Sequence, residues 1–126
     1  MIIDSNVIIY SNQPKYELLL AYLTGNQADL QVSLISQLEV LGFHKLLAED
    51  RADYEYFFAS VSVLPLDDVV INEAIRLRQQ RKRSLGDSII AATGLLYNLP
   101  VLTNNVADFA DIDGLRVIAL ADILNA

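Results

Sequence analysis

Short β-branched runs alternate with longer stretches of helical period along the whole 126-residue chain, and nothing else constrains the fold as strongly. Residues 1–4 read as a strand, 15–23 as a helix ending near Gly25, and 30–34 as a second strand. Helices are expected over 36–49 and 52–60, a short strand over 62–66, and long helices over 69–83 and 86–97. Two further strands follow at 100–103 and 115–119, the last with a short helix after it. Residues 5–14 receive no element. This alternation predicts an α/β protein: a central, mostly parallel sheet of about 4–5 strands with helices on both faces. In such sheets ligands bind beyond the carboxyl ends of the strands. Asp4 falls at one of those ends, and Thr103 to Asn105 at another.

No repeat, low-complexity tract or Gly/Ser linker interrupts the pattern, so residues 1–126 read as a single domain. At 53% hydrophobic the chain is suited to a packed core. No apolar run approaches the ~18–20 residues of a membrane span. Met1 leads directly into a strand, with no basic start or cleavage site, so no signal peptide is expected. Cysteine is absent, which excludes disulfides and thiolate metal sites and agrees with a reducing compartment. A soluble cytoplasmic protein with no membrane partner is the expectation. Sixteen acids against nine bases give a net charge of −7, which weighs against nucleic acid as a partner. Five of the nine bases, however, lie in one run, RLRQQRKR, from Arg76 to Arg83.

Several acids interrupt apolar patterns. Asp4 stands among Met1, Ile2, Ile3, Val7, Ile8 and Ile9, where a carboxylate is costly unless solvated, capped or paired. Glu39 shares the spacing of Ile35, Leu38, Gly42, Phe43 and Leu46, a stripe expected to face the core. Asp87 opens an almost wholly apolar helix behind Ser84, and that pair also reads as an ordinary helix cap. Asp108 follows the Thr103-Asn104-Asn105 turn, where polar residues are common turn formers. Asp111 and Asp113 continue that turn, and no role beyond solvation is assigned to them. Each acid has a structural explanation of its own. If they converge at one sheet edge, like charges ~4 Å apart repel by about 4 kcal/mol at an effective dielectric near 20. A hard divalent cation such as Mg²⁺ or Mn²⁺ reverses that sign and leaves room for a phosphate. Phosphodiester hydrolysis is the chemistry this arrangement suits.

In order along the chain, Asp4-Ser5-Asn6, Ser36-Gln37-Leu38-Glu39, Gly86-Asp87-Ser88-Ile89-Ile90-Ala91-Ala92 and Leu102-Thr103-Asn104-Asn105 through Asp108-Phe109 form four blocks in register. This pattern resembles the PIN-domain ribonucleases, and within them the toxin half of the VapBC toxin–antitoxin systems. The resemblance runs from residue 1 to about residue 120. It implies a PIN-like three-layer α/β/α sandwich and a Mg²⁺- or Mn²⁺-dependent endoribonuclease toxin, acting through metal-activated water and leaving 5′-phosphate and 3′-hydroxyl ends. Asp4, Glu39 and Asp87 match the three principal acids, as catalytic residues and metal ligands. The fourth acidic position falls to Asp108, with Asn105 standing where many members carry Asp; either completes the metal site, for one ion or two. Asn6, Ser36 and Thr103 match supporting polar positions. A cognate VapB-like antitoxin and a homodimer are implied as partners. Tyr54, Tyr56, Phe57 and Phe58 are candidates for either contact, against ordinary core packing.

RNA as substrate gives the basic run a use: Arg78, Arg81, Lys82 and Arg83 form a cationic rim beside Asp87, against the alternative of a solvated helix face. His44, the single histidine, has no partner motif and is not expected to act as a base. An aspartyl-phosphate phosphotransferase would want a second Asp at position 6, which is Asn, and a lysine after Lys82, where there is none. A catalytically weak or inactive PIN-like module that binds RNA or protein is the remaining alternative. The acids argue against it, and Asn105 argues for it.

Overall fold

The computed structural model describes residues 1–124. Five short strands, β1 (Ile2–Ile3), β2 (Gln31–Ser33), β3 (Ser62–Leu64), β4 (Val101–Thr103) and β5 (Val117–Ala119), form one sheet in the order β3-β2-β1-β4-β5, every neighbouring pair parallel. Around it lie helices α1 (Ser5–Ser11), α2 (Glu17–Gly25), α3 (Leu34–Leu41), α4 (Ala48–Ser60), α5 (Asp68–Gln80), α6 (Leu85–Tyr97) and α7 (Leu120–Leu124). Strand side chains alternate between faces with period two. Ile3, Val32 and Leu102 join a core with Val7, Ile8, Val40 and Phe58 from α1, α3 and α4. Ile2 and Val101 point the other way, into a second core with Leu77 of α5 and Ile90 of α6. The result is the expected three-layer sandwich. Among the described residues no helix is long and apolar enough to cross a membrane.

The chain winds outward from β1 to β3, then returns through α5 and α6 to β4 on the other side of β1. The order therefore reverses between β1 and β4, and a crevice opens at such a point beyond the strand ends. Backbone bonds fix the junction: Asp4 N–H donates to Leu102 O at 3.0 Å and Ile2 N–H to Pro100 O at 2.8 Å.

Three local expectations give way. Residues 5–11, unassigned from the sequence, form α1; Val7 and Ile8 are β-branched, but packing them on the sheet overrides that propensity. The helix expected over 36–49 stops at Leu41, and one longer helix runs from Ala48 to Ser60. The stripe assigned to the core also turns outward in part, although Ile35 and Leu46 still pack against the cores. Leu38 is 67% and Phe43 54% exposed, whereas Ser36 and Val40 are the buried residues of α3. Lastly, α5 ends at Gln80, so Arg81 to Arg83 leave the helix in extended backbone rather than continuing it.

The rotated stripe has a measurable consequence. Val40→Ala should cost about 2 kcal/mol of unfolding free energy through the cavity it leaves. Leu38→Ala should stay within about 0.5 kcal/mol, as exposed sites do. Urea midpoints of the two variants check it; equal losses would restore the original stripe.

Candidate active site

Asp4 occupies the cap position ahead of α1, where an aspartate commonly bonds the first helical amides. Its side chain makes no such cap. Instead, the buried Thr103 hydroxyl at the end of β4 donates to Asp4 Oδ2 at 2.8 Å and accepts the Asn105 N–H at 3.0 Å. The carboxylate is only 6% exposed. Burial pushes its pKa up, and the nearby charges of Glu39 and Asp108 add to the rise; bonds from Thr103 and the Ser5 backbone oppose it.

Glu39 arrives from α3 across a hydroxyl bridge. Ser5 Oγ lies 2.8 Å from both Glu39 Oε1 and Ser36 Oγ. A carboxylate only accepts, so the single Ser5 proton goes to Glu39 and the Ser36 hydroxyl donates to Ser5. The Glu39 carboxylate also rests against α6: a Cβ built on Gly86 would stand 2.6 Å from Glu39 Oε2 and 2.9 Å from Oε1. Glycine here makes room for a functional side chain.

Asp87 sits in the first turn of α6, and its backbone N–H donates to Ser84 Oγ at 3.1 Å, the anticipated cap. The cap occupies the amide and leaves the Asp87 carboxylate among other acids. Its pKa rises to about 6, chiefly through burial, then through the charges of Asp4, Asp108 and Glu39, against a Ser84 hydrogen bond. Asp108 comes from the turn after β4, where Asn105 Nδ2 donates to its Oδ2 at 2.8 Å. Asp4, Glu39, Asp87 and Asp108 thus lie on four separate elements within electrostatic reach of one another, and none forms a salt bridge among the described residues. These are hard oxygen donors without a cation, a set that fits Mg²⁺ or Mn²⁺. Among the described residues no three of them are drawn together tightly enough to hold an ion unaided.

The supporting residues divide. Thr103 and Ser36 are buried within the network, whereas Asn6 is exposed and takes no part in it. Ser5, quoted in the first motif without a role, proves to be the link from α1 to Glu39. The basic run divides as well. Arg78, Arg81 and Lys82 are exposed; Arg81, Lys82 and Arg83 line a shallow cleft with Ser84, Asp87 and Asp108, and Arg81 Nη1 pairs with Asp111 Oδ1 at 3.3 Å. Arg83 differs from the other cleft bases: only 7% exposed, it forks onto Asp111 at 3.2 and 2.8 Å. Asp111, expected only to be solvated, is held below the usual carboxylate range by the Arg83 hydrogen bonds. His44 is exposed, outside this constellation.

The raised Asp87 pKa has a fixed sign. Between the ordinary value of 3.8 and about 6 the folded chain holds the proton more tightly than the unfolded one. Rising pH therefore removes stability across that window, and the loss is complete above it. In metal-free buffer, Asp87→Asn should stabilise the chain at pH 7 by about 1 kcal/mol, allowing for screening of a half-buried group. The gain should vanish below about pH 4. Thermal melts at the two pH values in EDTA decide it, and a gain that persists at low pH contradicts the reading.

The PIN domain family model matches residues 1–115. Solved structures agree over nearly the full length. A DNA-bound VapBC from Salmonella typhimurium superposes with a TM-score of 0.81 at 25% identity, over 94% of this chain and 96% of that one. A toxin–antitoxin complex from Klebsiella pneumoniae gives 0.73 at 26% identity, over 94% and 95%. FitAcB from Neisseria gonorrhoeae gives 0.73 at 25% identity, over 93% and 95%. No curated protein is similar enough in sequence to match. With its acids gathered at the β1/β4 reversal and the family pattern matched over residues 1–115, the chain belongs to the PIN-domain family.

Proposed function

We propose that this protein is a VapC-type toxin, a divalent-metal-dependent endoribonuclease restrained by a VapB-like antitoxin. The observation that carries the reading is the unneutralised cluster of Asp4, Glu39, Asp87 and Asp108, whose mutual repulsion contributes to raising Asp87 to about 6. These four carboxylates are the proposed Mg²⁺ or Mn²⁺ ligands and the catalytic residues. When bound, the ion supplies Lewis-acid charge that activates water and offsets the charge developing on the phosphoryl oxygens.

The chain's own groups do the rest. Thr103 fixes the Asp4 carboxylate in one rotamer by its 2.8 Å bond, and Ser5 does the same for Glu39. Asn105 orients Asp108 through its amide instead of adding a charge. Arg78, Arg81 and Lys82 supply a cationic rim for RNA phosphates on an otherwise acidic surface. Arg83 contributes least to that rim because its side chain is buried, and Asp111 takes charge from both Arg81 and Arg83.

The antitoxin is assigned to a groove between α1, α3 and α4. There Ile9, Val40, Phe43, Leu46 and Tyr54 line an apolar groove with Asp50 at its edge. Of the four aromatics on α4, Tyr54 and Phe58 serve the core, while Tyr56, 73% exposed, and the half-buried Phe57 line a second cleft with Leu20 and Thr24. Leu34 and Leu38, one turn apart and exposed on α3, are the apolar face offered for a homodimer.

RNA cleavage with Mg²⁺ or Mn²⁺, with and without EDTA, tests the reading. Chelation, Asp4→Asn and Asp87→Asn should each lower the rate at least about 100-fold, on the scale of losing charge stabilisation at the reacting centre. RNA binding without cleavage by the native chain would favour an inactive PIN-like module instead. Gly86→Ala offers a subtler check. Its methyl would displace the Glu39 carboxylate yet favour the helix by up to about 1 kcal/mol. Stability should hold or rise while cleavage falls about 10- to 100-fold; full activity in this variant would remove Glu39 from the site.

A further inference from the structure

Arg83 differs from every other base in its run. Arg76, Arg78, Arg81 and Lys82 are exposed, whereas the Arg83 side chain is 2% exposed. Its Nε donates to the Leu77 carbonyl at 3.0 Å, and its two terminal nitrogens donate to the two oxygens of Asp111. Leu77 lies in the last turn of α5, where carbonyls lack helical partners. One guanidinium therefore fastens the end of α5, the entry to α6 and the loop after β4.

Both ends of this fork are close to the acidic cluster along the chain. Arg83 immediately precedes Ser84, the cap of α6, and Asp87 follows one turn later. Asp111 stands three residues beyond Asp108, in a segment stitched by its own turns: Asp108 N–H to Asn105 O, Ala110 N–H to Val106 O and Ile112 N–H to Phe109 O. Phe109 and Ile112 anchor that segment in the core. Asp108 and Asp111 are thus one stiff unit, and Asp87 is rigidly related to Arg83. A bidentate Arg–carboxylate pair fixes orientation as well as distance. It also bridges 28 residues of sequence, and Asp111 takes Arg81 Nη1 as a second, exposed partner at 3.3 Å.

Building on the metal reading above, we infer that Arg83 and Asp111 are positioning residues, a fork that sets how far Asp87 and Asp108 stand apart as donors to a divalent cation. The opposing possibility is a strut that serves stability alone. Electrostatics separates the two by sign. Removing a cation beside an acidic site by Coulomb's law alone tightens metal binding, whereas loss of a positioning residue weakens it.

The probe is Mn²⁺ alone, titrated calorimetrically into the whole metal-stripped chain, with cooperative melting checked for each variant. Arg83→Gln and Asp111→Asn should each weaken Mn²⁺ binding about tenfold. Asp113→Asn removes the same charge from the same turn without touching the fork, and should change affinity less than about twofold. Tighter or unchanged binding in Arg83→Gln overturns the inference. So does an Asp111→Asn loss no greater than that of Asp113→Asn. Should Arg83→Gln fail to fold, the comparison of the two aspartate variants decides alone, since Asp111 is an exposed residue. Native protein that binds no Mn²⁺ would remove the metal reading and the inference together. Native binding with indifferent variants removes the inference only.

Discussion

A carboxylate held at the end of the central strand, with a hydroxyl as its side-chain partner, is the constraint around which this fold is arranged. Asp4 is 6% exposed and takes the Thr103 hydroxyl, with no cation paired to it among the described residues. Burying a charge on such terms is expensive, and the expense appears as a raised pKa. The sheet order makes it unavoidable: reversal between β1 and β4 brings two strand ends together, and the second turn of α3 and the first turn of α6 deliver further acids to the same crevice. Stability favours neutralising such a cluster from within. Function at a cation site requires that it be left open.

The contrast with Arg83 sharpens that point. Four residues before Asp87 the chain buries a guanidinium, the ideal partner for a carboxylate, and gives it to Asp111 and the Leu77 carbonyl. A buried Arg lacking such partners would be strongly destabilising, so the pairing commits its charge to Asp111 as firmly as it holds the loops together. The acidic character of the crevice is therefore maintained by where the nearest buried cation is committed, as well as by the acids themselves.

Much of this was legible in the sequence, and the gaps have physical causes. The parallel sheet, its strands and the register of Asp4, Asp87 and Thr103 follow from periodicity, because strands covered on both faces must be apolar and their ends must be polar. α1 escaped notice because Val7, Ile8 and Ile9 favour strands in isolation, and only packing against the sheet makes them helical. The α3 stripe was misread because Ser36, a small buried hydroxyl bonded to Ser5, replaces the apolar residue that periodicity expects there. A polar residue that is buried because it is satisfied looks like a solvent residue from sequence. The burial of Arg83 is hidden from the sequence for the same reason: it depends on Asp111, 28 positions away, and no local spacing announces that pair.

Asn105 draws these strands together. An aspartate at this position would set a further negative charge beside Asp108 in a crevice already crowded with acids. Asparagine, in contrast, can present a donor, and Asp108 can only accept, so the amide nitrogen must face it at 2.8 Å. The backbone N–H of Asn105 meanwhile bonds Thr103, whose hydroxyl holds Asp4. One residue thereby links the orientation of two cluster carboxylates while lowering the charge of the group by one. Asparagine at this position exchanges anionic strength for geometric definition in a site whose members repel one another.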